Sequence, residues 1–327
     1  MATIRQRSGT WQVRVRRLGY PEESKSFTTK AAAQAWARSI ESAMDQGTHQ
    51  AAHQAKDLLL KEILVRYKQE VTPLKRGAKR EAEGIDFMTR QKIAEYSMVT
   101  LTPAVVAAYR DERLKTVGAG TIIRELSILS GIISHARKEW GVPTSNPCAL
   151  VRKPATPQGR SRLLTVDEEE RLLHELRPIK RRSPWMIPIV ALALETAMRR
   201  GELLAMQWQH INLESQTVFL PMTKNGTART VPLSRKAVAI LRMLQSSIAG
   251  PVFPISHMTM HNCFVHARKR AGIVDLHFHD LRHTATSRLA EKLPNVIELA
   301  SVTGHRTIQM LKRYYHPKAE TMAQKLG

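Results

Sequence analysis

Residues 277–316 of the chain read HFHDLRHTATSRLAEKLPNVIELASVTGHRTIQMLKRYYH. An apolar residue recurs in this stretch at helical spacing, at Leu281, Ala285 and Leu289. That spacing predicts a helix from Asp280 to Glu291. His279 and Arg282, three residues apart, then lie on one face at the start of the helix. Because a helix N-terminus with an arginine attracts anions, the stretch predicts an anion-binding site.

A histidine and two tyrosines follow in the same stretch. His305 comes directly after Gly304, and Tyr314 and Tyr315 lie at the end of a short helix that we predict from Ile308 to Tyr315. Attack on a phosphodiester requires cations that hold the phosphoryl oxygens, a base and a hydroxyl nucleophile. The stretch contains all of these groups, so it predicts phosphodiester chemistry.

These residues resemble the motifs of the tyrosine recombinases, which form the phage integrase family. HDLR at 279–282, TGH at 303–305 and Tyr314, nine residues beyond His305, resemble the family's HxxR, LGH and tyrosine boxes. The segments HFHDLRH at 277–283 and MLKRY at 310–314 are especially similar to sequences of the recombinases of plasmid shufflons, which invert DNA segments. This similarity runs from about Leu114 to Tyr315.

Two further boxes lie upstream in the order that the family uses. TAMRRGEL at 196–203 resembles its first arginine box. The turn at Lys224, followed by RTVPL at 229–233, resembles the hairpin that carries its lysine. Two positions depart from the family pattern, since Ala197 replaces the usual glycine and Thr303 the usual leucine.

The resemblance implies six catalytic residues, which are Arg199, Lys224, His279, Arg282, His305 and Tyr314. Tyr314 would attack the scissile phosphorus, form a 3′-phosphotyrosyl link and release a 5′-hydroxyl. The two arginines would hold the non-bridging oxygens, because a guanidinium fork matches a phosphoryl group.

The remaining three residues would move or donate protons. Lys224 would protonate the leaving 5′-oxygen, His279 would act as base toward the phenol, and His305 would donate a hydrogen bond to the phosphate. The covalent link stores the energy of the phosphodiester, so the resemblance implies no cofactor, neither ATP nor a metal.

Simpler explanations and other functions stay open at this point. Glu202 is interpreted as a buried partner that orients Arg199, and Tyr315 as a packing residue. Four other histidines are interpreted as surface or core residues: His257, His261, His277 and His283. A type IB topoisomerase would use the same chemistry, and a catalytically silent DNA-binding regulator would explain the charge.

The composition points to a polyanionic partner. Lys plus Arg number 51 and Asp plus Glu 28, a net charge of +23 for 327 residues. Such a charge favours a polyanionic partner, which the family resemblance implies to be double-stranded DNA, and the length favours two or three domains. The two cysteines, Cys148 and Cys263, support neither a disulfide framework nor a zinc site. Without a signal peptide or an apolar run long enough for a membrane, a cytoplasmic protein is expected.

Residues 1–50 predict a small domain of the ββα type. We predict two strands and a helix capped by Thr29, at Trp11–Arg16, Ser24–Thr28 and Lys30–Gln46. The unit resembles the arm-binding domains of many integrases, with Arg14 and Arg16 as its expected DNA contacts. The alternative is an ordinary packing unit whose arginines are solvated.

Residues 56–150 predict an all-helical domain. Its expected helices are Leu58–Tyr67, Arg80–Ala94, Thr102–Lys115 and Ala119–Trp140. The unit resembles the family's core-binding domain, which has a SAM-like fold. Its expected DNA contacts are Lys75, Arg76, Lys79 and Arg80.

A connector rich in proline and arginine, residues 143–162, precedes the last domain. Proline disfavours regular structure there, so residues 151–162 are a predicted linker. Residues 163–327 predict the catalytic domain, with these elements: a helix capped by Thr165, helices Met186–Thr196 and Glu202–Trp208, hairpin strands Thr217–Pro221 and Arg229–Pro232, and helices beginning at Ser234, His257, Asp280 and Asn295. The predicted fold class is mainly α with small β-sheets (α+β).

Recombination requires four strand cuts in two duplexes, and the chain offers one good nucleophile. We therefore expect a homotetramer on paired DNA sites, with accessory DNA-bending proteins as optional partners. A short apolar stripe near the C-terminus comprises Ala319, Met322, Ala323 and Leu326. It is expected to dock on a neighbour's catalytic domain or, alternatively, on its own.

Overall fold

The computed structural model describes residues 2–20, 22–46, 58–142, 144–179, 182–222, 226–244 and 248–314, together with 323 and 326. The chain divides into two compact units between Gln158 and Gly159, inside the predicted linker. The fold is mainly helical with small sheets, as predicted. Among the described residues, no helix is long and apolar enough to cross a membrane.

The first unit begins with an antiparallel three-stranded sheet and one helix. These elements are β1 Ala2–Arg7, β2 Thr10–Val15, β3 Glu23–Phe27 and α1 Lys30–Asp45. Only two of these strands were predicted from the sequence, and the one that was not predicted is β1. Ile4 is its one large apolar side chain, so its alternation is weak. Ser8 and Gly9, both with positive φ, connect β1 to β2 in a two-residue hairpin.

One face of this sheet packs against α1. Val13 and Val15 are fully buried, and Ala33 and Ala37 of the helix belong to the same apolar cluster. The side chain of Thr29 accepts a hydrogen bond from the backbone N of Ala32 at 3.3 Å, so it caps α1 as predicted.

Among the described residues of the first unit after residue 57, four helices with their own buried core follow. They are α2 Leu60–Glu70, α3 Ala78–Thr89, α4 Pro103–Leu114 and α5 Ala119–Glu139. The predicted extension of α3 to Ala94 was wrong. A 3₁₀ turn at Lys92–Glu95 replaces it and buries Ile93 and Ala94 in the core. Asn146 caps another 3₁₀ turn at Pro147–Leu150, inside the connector that was predicted to be irregular.

The second unit contains the following elements: α6 Val166–Glu175, α7 Met186–Thr196, α8 Arg200–Leu204, β4 Ile211–Asn212, β5 Thr217–Leu220, β6 Arg229–Pro232, α9 Arg235–Leu244, α10 His257–Arg270, α11 Phe278–Lys292, α12 Val296–Thr303 and α13 Ile308–Leu311. Helix α7 is apolar except for Glu195 and Thr196 near its end, and it lies at the centre, against α9 and α11. The three strands form one antiparallel sheet in chain order.

Two predicted elements of this unit needed correction, and one strand was missed. Helix α8 is one short turn of α-helix, because the chain turns at Ala205 before a 3₁₀ turn at Trp208–His210. Strand β4, which was not predicted, adds two residues to the hairpin. The helix predicted over 308–315 ends at Leu311, and a 3₁₀ turn at Lys312–Tyr314 follows.

Candidate active site

Arg199 lies in the tight connection between α7 and α8. Helix α7 ends at Ala197, whose left-handed backbone (φ 51°) reverses the chain. Nη1 of Arg199 donates to Oε1 of Glu202 at 2.8 Å, and Nη2 donates to the carbonyl oxygen of Gly304 at 3.1 Å. The guanidinium is therefore fixed between α8 and the segment that follows α12.

Glu202 is buried and holds two arginines. Its Oε2 accepts from the backbone N of Arg199 at 2.9 Å and from Nη2 of Arg229 at 2.9 Å. Burial alone would raise the pKa of Glu202. The charge of Arg229 and the hydrogen bonds from both arginines outweigh burial and keep that pKa below its usual 4.5. Glu202 is thus an anionic support and no proton donor at neutral pH.

Arg282, on the first turns of α11, is 4% exposed. Its Nη1 donates to the carbonyl of Ala197, and its Nη2 donates to that of Thr303 at 2.7 Å. These two carbonyls hold the guanidinium without neutralising it. Burial, followed by the charge of Arg199, lowers the pKa of Arg282 to about 10, so the group stays cationic at neutral pH.

His305 follows the left-handed turn at Gly304 (φ 69°) that ends α12. The hydroxyl of Thr303 donates to the carbonyl of Leu299 at 2.6 Å, so it accepts from Nδ1–H of His305 at 2.7 Å. Nε2 of His305, 3.3 Å from Nη2 of Arg282, then carries the lone pair. Burial and the nearby arginines lower the pKa of His305 to about 3, so the ring is neutral before an anion arrives.

A cavity of about 780 Å³ connects these groups. Arg199, Arg282, His305 and His279 line it together with residues of α10. His279 remains accessible to solvent there. Desolvation inside the cavity, followed by the electrostatic effects of His283 and of the Arg282 charge, lowers the pKa of His279 to about 4.

Tyr314 ends the 3₁₀ turn after α13 and is half-buried. Its hydroxyl contacts Nδ1 of His283, and the two rings stack with centroids 5.7 Å apart. The ring of His305 lies 6.1 Å from the tyrosine ring. Burial raises the pKa of Tyr314, and the charges of Arg313 and Arg282 only partly oppose this. The phenol is therefore protonated at neutral pH.

Residues 162–321 match the model of the Phage integrase family. A shufflon-specific DNA recombinase of Escherichia coli is 41% identical over 276 residues, which cover 82% of this chain and 71% of that protein. A putative integrase/recombinase of Haemophilus influenzae is 36% identical and covers 100% of this chain and 91% of its own. The chain belongs to the phage integrase family. It is a tyrosine recombinase, an enzyme that cuts and rejoins DNA at specific sites.

Solved structures agree with this recombinase fold. A lambda integrase dimer bound to a COC′ core site has a TM-score of 0.66 at 22% identity, over 96% of this chain and 94% of that one. A Tn1549 transposon integrase in complex with a circular intermediate DNA also has a TM-score of 0.66, at 16% identity, over 83% and 99% of the two chains. At these identities the likeness concerns the fold.

Four of the six expected catalytic residues of the recombinase share one cavity, and Tyr314 lies beside His305. Lys224 falls outside the described residues, as does Tyr315. Two residues of this site were not predicted from the sequence. Arg229 was treated only as part of the hairpin, although it pairs with Glu202. His283 was interpreted as a surface or core residue, although it contacts the tyrosine hydroxyl. Its spacing of four residues from His279 was an available signal.

The expected DNA contacts of the first unit have different surroundings. Arg14 and Arg16 both pair with Glu22. Nζ of Lys75 lies 2.8 Å from Oε1 of Glu81 and 2.7 Å from Oη of Tyr67. The other three expected contacts of the helical part are exposed, namely Arg76, Lys79 and Arg80.

Proposed function

We propose that this recombinase cuts DNA by attack of Tyr314 on the scissile phosphorus, which forms a 3′-phosphotyrosyl link and releases a 5′-hydroxyl. The observation that carries this proposal is the convergence of Arg199, Arg282 and His305 on one cavity, with the Tyr314 ring 6.1 Å from His305. Two fixed guanidiniums and a neutral imidazole suit a phosphoryl group whose charge grows toward the transition state. Because these groups belong to one chain, we propose that each copy cuts with its own tyrosine.

The two arginines bind the non-bridging oxygens in this proposal. His305 donates to the phosphate only after it becomes an imidazolium, since Nε2 is an acceptor in the DNA-free site. The incoming anion raises the pKa of His305, and Thr303 continues to accept from Nδ1–H. Lys224 protonates the leaving 5′-oxygen. A histidine of α11 takes the phenolic proton, and His279 is the residue that the family resemblance assigns to this step.

Double-stranded DNA is the proposed substrate of the whole chain. Besides the net charge of +23, a basic face of the first sheet supports this proposal. The residues Thr3, Arg5, Arg7, Gln12, Arg14 and Arg16 line a depression of about 270 Å³ on that face. We propose residues 1–50 and 56–150 as two DNA-binding domains and 163–327 as the catalytic domain, acting on DNA in the cytoplasm.

We further propose that four copies assemble on two DNA sites, with accessory DNA-bending proteins as optional partners. A lambda integrase tetramer bound to a Holliday junction has a TM-score of 0.65 with this chain at 21% identity. Two residues of the C-terminal stripe expected to join the copies, Ala319 and Met322, lie outside the described residues. Deleting residues 318–327 should leave single-site binding intact and abolish both higher-order complexes and recombination. Full recombination by the truncated protein would contradict this assembly.

Trapping of the covalent intermediate tests the proposed chemistry. Fragments of the DNA that flanks the gene are screened first for a protein–DNA band that survives denaturing gels, and a nicked suicide duplex is then built on the reactive fragment. We expect Tyr314→Phe to form no adduct and to bind the duplex with nearly wild-type affinity. Tyr315→Phe is the matched control and should form the adduct. An adduct from the Tyr314 variant that the Tyr315 variant lacks would assign the nucleophile to Tyr315.

A further inference from the structure

Two histidines lie one turn apart on α11, and they differ in what they face. His279 and His283 meet edge to face, with ring centroids 5.2 Å apart. His279 lines the cavity that holds Arg199 and Arg282. His283 is half-buried, and its Nδ1 is the atom in contact with the hydroxyl of Tyr314. The stacked orientation of these two rings, 30° between planes, places the hydroxyl beside the imidazole edge.

We propose that His283, rather than His279, accepts the phenolic proton of Tyr314 during strand cleavage. This inference rests on the proposed phosphotyrosine chemistry and assigns one proton of it. A candidate base must lie within hydrogen-bonding reach of the proton it removes, and His283 meets this requirement before DNA binds. His279 is left in the cavity, where it contacts the phosphate.

The proposed step is balanced in atoms and charge. The Tyr314 oxygen forms a bond to phosphorus while the bond from phosphorus to the 5′-oxygen breaks. The proton of the phenol moves to Nδ1 of His283. The departing 5′-oxygen takes its proton from Lys224, so one group gains a proton as another loses one. Rejoining reverses both transfers, with His283 as the acid that returns the proton to the phenol.

The surroundings of His283 support a base that is neutral before the reaction. Burial lowers its pKa, and the carboxylate of Asp280 opposes this effect. Three arginines, Arg313, Arg282 and Arg160, lower it further. Its other titratable neighbours are His279 on the same helix, His305 and Tyr314.

Asp280 is the anionic counterpart to the new imidazolium. This carboxylate is fully buried. Nη2 of Arg160 donates to Oδ2 of Asp280 at 2.9 Å and holds the carboxylate in place. Its Oδ2 also accepts from the backbone N of His277 at 2.8 Å. A fixed carboxylate one turn before His283 stabilises the protonated ring as it forms.

The pH dependence of single-turnover cleavage tests the proposal. The matched variants are His283→Asn and His279→Asn, and the substrate is the nicked suicide duplex that gives an adduct with the wild type. Asparagine keeps a hydrogen-bonding group near the Nδ1 position and cannot take a proton. Without its base, His283→Asn must wait for the free phenolate, so its rate should rise about tenfold per pH unit below the pKa of the Tyr314 phenol, which burial raises. Near neutral pH we expect it to be slower than the wild type by about 10²–10⁴-fold.

The rates of the wild type and His279→Asn should instead level off above the pKa of the base, below the pH at which loss of the His305 imidazolium slows cleavage. A plateau for His283→Asn, or a continuous rise for His279→Asn alone, would overturn the assignment. Failure of the proposed function has a different signature, because Tyr314→Phe would then still form the adduct.

A second measurement varies the acidity of the phenol in both the wild type and His283→Asn. Fluorotyrosine incorporated at position 314 has a more acidic phenol and depends less on a base. It should accelerate His283→Asn more than the wild type. Equal effects on both proteins would overturn the proposal. Thermal melting and duplex affinity of each variant show whether it is folded, and a poorly folded His283→Asn is replaced by His283→Gln in the same assays.

Discussion

The carboxylate of Glu202 holds Arg199 at two points: Oε1 lies 2.8 Å from Nη1, and Oε2 lies 2.9 Å from the backbone N. The same Oε2 holds Arg229 of strand β6. One buried anion therefore joins the first arginine of the site to the hairpin strand that follows Lys224 in the chain. This arrangement fixes the cationic wall of the cavity before DNA binds, so little reorganisation is needed at the moment of reaction.

Glu202→Gln should destabilise the protein and slow cleavage, because Arg199 and Arg229 lose their shared countercharge. Removing one partner of a buried pair costs about 3 kcal/mol, which lowers Tm by roughly 5–10 °C for a unit of this size. Glu195→Gln is a control, since Glu195 pairs with the exposed Lys236. A wild-type Tm for Glu202→Gln would contradict the proposed role.

The same pair predicts a pH dependence of stability. The pKa of Glu202 is lower in the folded protein than its usual 4.5. Its stabilising contribution is therefore complete above 4.5 and is lost as the pH falls through the folded pKa. The Tm difference between wild type and Glu202→Gln should shrink below pH 4.5, and melting curves on both sides of that value measure it. A constant difference would show that the carboxylate's charge does not contribute.

Local patterns predicted the elements, and long-range contacts decided the site. Helix α7 has the predicted bounds, Met186–Thr196, because an apolar run in the local sequence indicates it. The contact between His283 and Tyr314 joins residues 31 positions apart. It depends on how α12 and α13 return the chain to α11, and no spacing rule contains that information. The pairing of Arg229 with Glu202 likewise depends on where the hairpin packs.

Thr303 sets the tautomer of His305, where the family usually has leucine. Thr303→Val removes the acceptor for Nδ1–H and keeps the buried shape. Loss of one hydrogen bond of about 1.4 kcal/mol corresponds to about tenfold in rate. The imidazolium also loses a partner, so the cleavage optimum should move to lower pH. Thr303→Ser keeps the hydroxyl and should behave as the wild type. Identical pH–rate profiles for all three proteins would show that the threonine only packs.

Ala197→Gly should stabilise the protein. Ala197 has a left-handed backbone with a φ of 51°. This conformation lowers the free energy of unfolding by about 1–2 kcal/mol for a residue with a Cβ and has little effect for glycine. Its carbonyl, which accepts from Arg282, is unchanged by the substitution. We expect Tm to rise by roughly 3 °C. Ala193→Gly, inside α7, should lower Tm instead, since glycine costs about 1 kcal/mol in a helix interior. A lower Tm for Ala197→Gly would mean that the lost methyl group matters more than the backbone strain.

Binding to DNA should depend steeply on salt, because the net charge of +23 favours phosphate contacts. The logarithm of the binding constant is expected to fall with the logarithm of salt concentration at a slope of roughly −0.9Z, with Z of about 8 or more phosphates for a clamp.

The basic face of the first sheet makes this salt dependence testable by mutation. Arg5→Gln with Arg7→Gln removes two charges from that face, so the slope should become shallower by about 2. Arg38→Gln removes an exposed charge from α1, which packs on the opposite face, and should leave the slope nearly unchanged. Fluorescence anisotropy across a salt series measures all three slopes, and equal slopes for the wild type and the double variant would exclude the sheet face from the DNA interface.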